Sequence, residues 1–151
     1  MSKNLSLSIR TLVDKTESLG AGIVDSSGLI ISSYGFHAEK DKEELAAFLI
    51  AMSPKALNEA LDDVINEYIV MGNKFKIYCY WLDSKASILL YVICEHNARG
   101  RVVRTQLHAT AASIREELLA DSLVAEGQRL KQPRHMSGDR WPAQDFENFL
   151  K

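Results

Sequence analysis

The 151 residues include only two cysteines, three prolines and eight glycines. So little cysteine excludes a small secreted fold held by a disulfide framework, and it suits reduced thiols. Proline and glycine are too scarce for a collagen-like or fully disordered chain. No apolar run approaches the ~18 residues that a membrane span requires. Charge of one sign is also lacking: 18 Lys and Arg stand against 20 Asp and Glu, a formal net charge of −2. Nothing global therefore attracts nucleic acid or an anionic lipid surface. The N-terminal Met1-Ser2-Lys3-Asn4-Leu5 lacks the apolar stretch of a signal peptide, so the expectation is a cytoplasmic protein.

Signatures of catalysis are missing as well. The chain contains no GxxxxGK[ST], HExxH, GxSxG or paired CxxC, and its one Gly-x-Gly, Gly20-Ala21-Gly22, does not open a helix. His37, His96, His108 and His135 show no ligand spacing. The reading is of a chain with no cofactor, no metal and no enzymatic activity of its own.

What is present is a regular alternation of elements. Leu5, Ile9, Leu12, Val13 and Thr16 set out an amphipathic helix ending near Ser18. Leu19–Asp25 and Leu29–Tyr34 read as two strands joined at Ser26-Ser27-Gly28. Asp41 and Glu44 form a capping-box pattern that opens a second helix running to about Asn66. Ser53-Pro54 interrupts that helix, with Ser as N-cap and Pro at the first position of a restart, so a kink or two abutting helices is expected.

Strands follow at Glu67–Met71, Phe75–Leu82 and Ser87–Glu95. A tip at Ser84-Lys85 pairs residue i with 169 − i, which places Cys79 and Cys94 on one face and Tyr78, Tyr80 and Tyr91 on the other. Both faces are apolar, so helices are expected on both sides of the sheet. Val103, Leu107, Thr110, Ala111, Ile114 and Leu118 mark a last helix. The domain is expected to cover residues 1–120, and residues 121–151 form an extension. Within that extension Glu126–Arg140 reads as a linker and Trp141–Leu150 as a short amphipathic segment bearing Phe146, Phe149 and Leu150.

The second helix has more apolar surface than a monomer needs. Ala46, Ile50, Leu57, Leu61 and Val64 form one stripe, the natural core face. Leu45, Phe48, Leu49 and Met52 form another, for which burial against a second chain is the favoured explanation. The short strand Tyr68–Met71 that follows is a candidate edge. Arg99, Arg101 and Arg104 make a basic cluster that is either a solvated loop or a contact for an acidic protein partner, and Trp141, Phe146, Phe149 and Leu150 either fold back over their own domain or serve as docking anchors.

The run Leu19-Gly20-Ala21-Gly22-Ile23-Val24-Asp25-Ser26-Ser27-Gly28-Leu29-Ile30-Ile31-Ser32, the Glu44-Leu45-Ala46-Ala47-Phe48 helix opening and the last helix through His108, Ala111 and Ile114 resemble the Roadblock/dynein-light-chain domain family, in particular its bacterial branch of MglB-like small-GTPase regulators. The resemblance spans about residues 3–120. It implies an α+β sandwich of order α-β-β-α-β-β-β-α: a five-stranded antiparallel sheet, one helix on one face and two on the other. It also implies a homodimer, or a heterodimer with a related chain, whose seam takes Leu45, Phe48, Leu49, Met52, Tyr68, Val70 and Met71. The implied function is a non-catalytic scaffold or regulator of a small Ras-like GTPase, with GAP-like activation through the GTPase's own residues. The competing reading is a profilin- or PAS-like small-ligand sensor, looked for on the face of Tyr78, Tyr80 and Tyr91, or a generic interaction scaffold.

Overall fold

The computed structural model describes residues 2–35, 39–83, 85 and 87–131. The elements are α1 (Ser2–Thr16), β1 (Gly20–Asp25), β2 (Ile30–Gly35), α2 (Glu39–Ala51), α3 (Lys55–Leu61), β3 (Glu67–Met71), β4 (Phe75–Trp81), β5 (Ile88–Glu95) and α4 (Gly100–Lys131). The five strands form one antiparallel sheet in the order β2-β1-β5-β4-β3. One face is covered by α1 and α4 and buries Leu5, Ile9, Ile23, Leu90, Leu107 and Ile114. The other is covered by α2 and buries Val24, Ala46, Leu49, Trp81, Leu89 and Tyr91. Two helices on one side and the second helix on the other is the expected sandwich.

Local chemistry explains the turns. The Asp25 carboxylate accepts hydrogen bonds from Ser27 N (2.9 Å), Ser27 Oγ (2.6 Å) and Leu29 N (3.0 Å), which closes the first hairpin. Gly28 supplies its φ of +91°. Helix α1 ends where Glu17 takes a φ of +50°.

Several expectations are corrected by the structure. Tyr78 pairs with Val92 and Cys79 with Tyr91, so β4 and β5 follow 170 − i. Buried Asp83 sets this register by accepting hydrogen bonds from Ser87 N (2.8 Å), Ser87 Oγ and Ile88 N (3.3 Å). A slip of one residue exchanges every side chain between faces. Cys79 and Cys94 therefore lie on opposite faces, and Tyr91 leaves the Tyr78 and Tyr80 side to pack over Gly22, where a Cβ would sit 2.6 Å from its hydroxyl.

The second helix is two, as its proline indicated, but Pro54 is the N-cap of α3 and not its first helical residue. Ser53 Oγ is buried without a partner, so it supplies no cap. Leu57, Leu61 and Val64, assigned to the core stripe, are exposed because the break lifts α3 off the sheet, and Leu49 replaces them inside. Finally, α4 does not stop near residue 120 but continues to Lys131. The added stretch contains no proline and, apart from Gly127, little that opposes a helix.

Candidate interaction surface

The sheet has two edges, β2 and β3. Strand β3 pairs with β4 in unbroken register from Glu67↔Tyr80 to Met71↔Lys76, and among the described residues no strand pairs with its outer side. Opposed residues share a face, so Tyr68 and Val70, across from Cys79 and Ile77, look toward α2. Glu67, Ile69 and Met71 look toward α4. The Tyr68 hydroxyl donates to the Leu49 carbonyl at 2.7 Å and ties the edge strand to α2. Burial raises the Tyr68 phenol far above its ordinary pKa, so this donor stays protonated.

Beside this edge, α2 exposes Phe48 (65%) and Met52 (53%), one helical turn apart. Leu61 on α3 (64%) and Met71 on β3 (65%) extend the exposed apolar surface. Of the seven residues expected in the seam, Phe48, Met52 and Met71 are open, while Leu45, Tyr68 and Val70 are half-buried along its inner margin. Leu49 does not belong to it. At 1% exposure it is held in the chain's own core, because α2 is rotated so that Ala46 and Leu49 meet the sheet. Met71 is separated from Tyr68 and Val70 by the pleat and lies on the α4 side.

The basic cluster divides in the same way. Arg104 is committed within the chain: its Nε donates to the Glu67 carboxylate oxygens at 3.0 and 3.2 Å, and its second guanidinium nitrogen also reaches Oε1. His108 Nε2 lies 3.0 Å from Glu67 Oε2. Hydrogen bonding from Arg104 holds the Glu67 carboxyl below its ordinary value, against the effect of burial. Arg99 and Arg101 are exposed, and neither guanidinium has a partner among the described residues. Trp141, Phe146, Phe149 and Leu150 lie outside the described residues.

Sequence reasoning missed Ile69, the α3 residues Leu57 and Leu61, and Val64 beyond α3 as surface groups, and missed Glu67 as the partner of Arg104. The signal for α3 was available in Pro54, which forbids one continuous stripe across the break. For Glu67 no local signal exists, since it is 37 residues from Arg104. Among the described residues no group of three or more His, Cys, Asp or Glu is placed to hold a metal ion. Both thiols are buried, and burial pushes Cys79 up to about 12 and Cys94 up to about 11. On the face where a ligand cavity was sought, Tyr78 packs in the core under α1 and α4 and also lines an open cleft beside the start of α4. No helix among the described residues is long and apolar enough to cross a membrane.

No family model and no curated protein matches the chain by sequence. Solved structures do match it. Myxococcus xanthus MglB aligns over 74% of this chain and 91% of its own at 18% identity, with a TM-score of 0.67. An MglB described as having a tetrameric arrangement aligns over 74% and 85% at 14% identity, with a TM-score of 0.67. A Roadblock/LC7 domain from Streptomyces avermitilis aligns over 75% and 96% at 16% identity, with a TM-score of 0.65. The chain has the Roadblock/LC7 fold.

Proposed function

We infer that this chain is a dimeric, non-catalytic regulator or scaffold of a small Ras-like GTPase. The observation that carries the reading is the β3 edge, regular and open, flanked by exposed Phe48, Met52 and Met71. Such an edge is an aggregation hazard on a free monomer, and pairing it across a two-fold axis removes the hazard. A second copy of β3 would extend the sheet while Phe48 and Met52 meet the partner's α2. Ala47 and Ala51, exposed on the same helix, allow close approach of backbones.

The GTPase assignment rests on the resemblance of the Leu19–Ser32 hairpin and α2 opening to MglB-like regulators, and the likeness of fold agrees with it. In this reading the chain contributes binding surface and no reacting group. Arg104 is already engaged by Glu67, so an arginine supplied in trans would have to be Arg99 or Arg101. Repositioning of the GTPase's own residues is the favoured route. The Trp141–Leu150 segment is a further partner contact in this reading.

Light scattering at micromolar concentration tests the dimer, which should have twice the 16.9 kDa chain mass. Nucleotide turnover by a Ras-like GTPase encoded in the same genome, measured with and without the chain, tests the rest. A single-chain mass, or unchanged turnover together with no complex, would refute the corresponding half.

A further inference from the structure

On the sheet face away from α2, a cleft of about 570 Å³ opens between β3 and the start of α4. Ile69, Tyr78, Gly100, Arg101, Thr105 and His108 line it, with Arg104 at its wall. Its floor is apolar: Ile69 is about half exposed, and Tyr78 is buried behind it. Gly100 lets α4 begin close to this ring, since a Cβ at that position would stand 2.7 Å from the Tyr78 hydroxyl. The rim is cationic. The first turn of α4 contains no acidic residue, Arg101 has no partner among the described residues, and Glu67 is shared between Arg104 and His108.

This local excess of positive charge lies on a chain whose formal net charge is −2. Exposed cations beside an exposed aliphatic floor match one kind of occupant, an acidic segment that carries a single aliphatic anchor.

We propose that the β3–α4 cleft is a docking site for an acidic segment of a partner protein, with Arg101 pairing its carboxylates and Ile69 receiving its aliphatic anchor. The site deepens the regulator reading and rests on it for the partner's identity. In the proposed dimer the sheet continues through β3 with its faces preserved, so two such clefts would flank the seam on one side. A partner reaching both would bind by two contacts.

The test is amide NMR on the ¹⁵N-labelled full chain, titrated with the synthetic hexapeptide Glu-Asp-Glu-Leu-Asp-Glu. Shifts should concentrate at Ile69 and from Arg101 to His108. Binding should weaken at least tenfold in Arg101→Glu, and also when serine replaces the peptide's leucine. Arg101 has no structural partner among the described residues, so that variant should fold; Arg101→Gln provides a second check. Shifts elsewhere, no shifts, or an unchanged response in both variants would overturn the proposal. Displacement of resonances from residues 141–150 would also overturn it, by showing that the chain's own tail is the occupant. Repeating the titration on Phe48→Asp separates this site from the dimer, since the cleft should bind the hexapeptide whether or not the chain pairs.

Discussion

The two edges of the sheet are built on opposite principles. Strand β2 carries a bulge at Ile31, where Ile23 pairs with Ser32 but Val24 pairs with Ile30. It ends at Gly35, whose φ of +142° lets β1 and β2 come into close contact. Ser32 lies 3.4 Å from Ser6 of α1, and Lys42 of α2 donates to Ser33 at 3.3 Å, so helices on both faces reach this edge. Strand β3 is likewise tied to helices on both faces, through Tyr68 to α2 and Glu67 to α4, but it has no bulge: its register is unbroken, and Phe48, Met52, Ile69 and Met71 stand exposed beside it. A bulged edge is protected against pairing, whereas a regular edge with apolar flanks is suited to it. The difference teaches that the two ends of the sheet are not equivalent, and in the proposed dimer only the β3 end would continue into another chain.

The largest expected effect falls on the closed edge. A Cβ on Gly35 would stand 2.4 Å from Gly20 Cα, so Gly35→Val should cost about 3 kcal/mol in urea denaturation. A value near zero would mean that β2 is not sealed by that contact. Next comes Phe48→Asp at the open edge, expected to raise the dimer dissociation constant about 100-fold while the monomer stays folded. Ile31→Asp, an equally polar change on β2, should leave the solution mass unchanged. If both substitutions, or neither, dissociate the protein, the contrast between the edges fails.

A smaller effect concerns how β3 is fastened. Glu67→Gln should lower the melting temperature by about 3 °C near neutral pH, since the carboxylate joins β3 to Arg104 and His108 of α4. Arg104 holds this carboxyl below its ordinary value, so its contribution is complete above the usual glutamate pKa. It disappears as the pH falls through the lowered folded-state value, and the gap between the native chain and Glu67→Gln should close in acid. A gap that persisted there would assign the loss to packing.

The smallest effect uses the two thiols as reporters of opening. Cys79 pairs across to Tyr68 of β3, while Cys94 lies on β5, in the sheet's interior. Both should resist iodoacetamide in the native chain, being buried with raised pKa values. In Phe48→Asp, labelling of Cys79 should accelerate relative to Cys94, which mass spectrometry of digested peptides can resolve. Equal acceleration would indicate global opening and not fraying from β3.

Much of the fold was legible because its signals are local. Asp25, Ser27 and Gly28 specify a hairpin within five residues, and Pro54 breaks a helix wherever it falls. The surplus of apolar surface on α2 was equally visible in Phe48 and Met52. Which neighbour joined them was not. Leu45, Leu49 and Met52 lie close together around the helix, and only docking on the sheet turned Leu49 inward. The β4–β5 register failed for a similar reason, since a symmetric tip was assumed where a buried aspartate fixes an asymmetric one. Half of the candidate surface was therefore readable, and the half that depended on rotation or register was not.

By itself the sequence determined the order of elements, the two-sided sheet and the presence of unspent apolar surface. These follow from periodicity and turn chemistry, which act over a few residues at a time. Tertiary structure alone decided that Leu49 is core and Leu61 is surface, that Cys79 and Cys94 face apart, and that Glu67 claims Arg104. Each of those outcomes depends on how one element is rotated or registered against another. Packing of elements far apart in the chain settles that, and a local pattern of residue types does not.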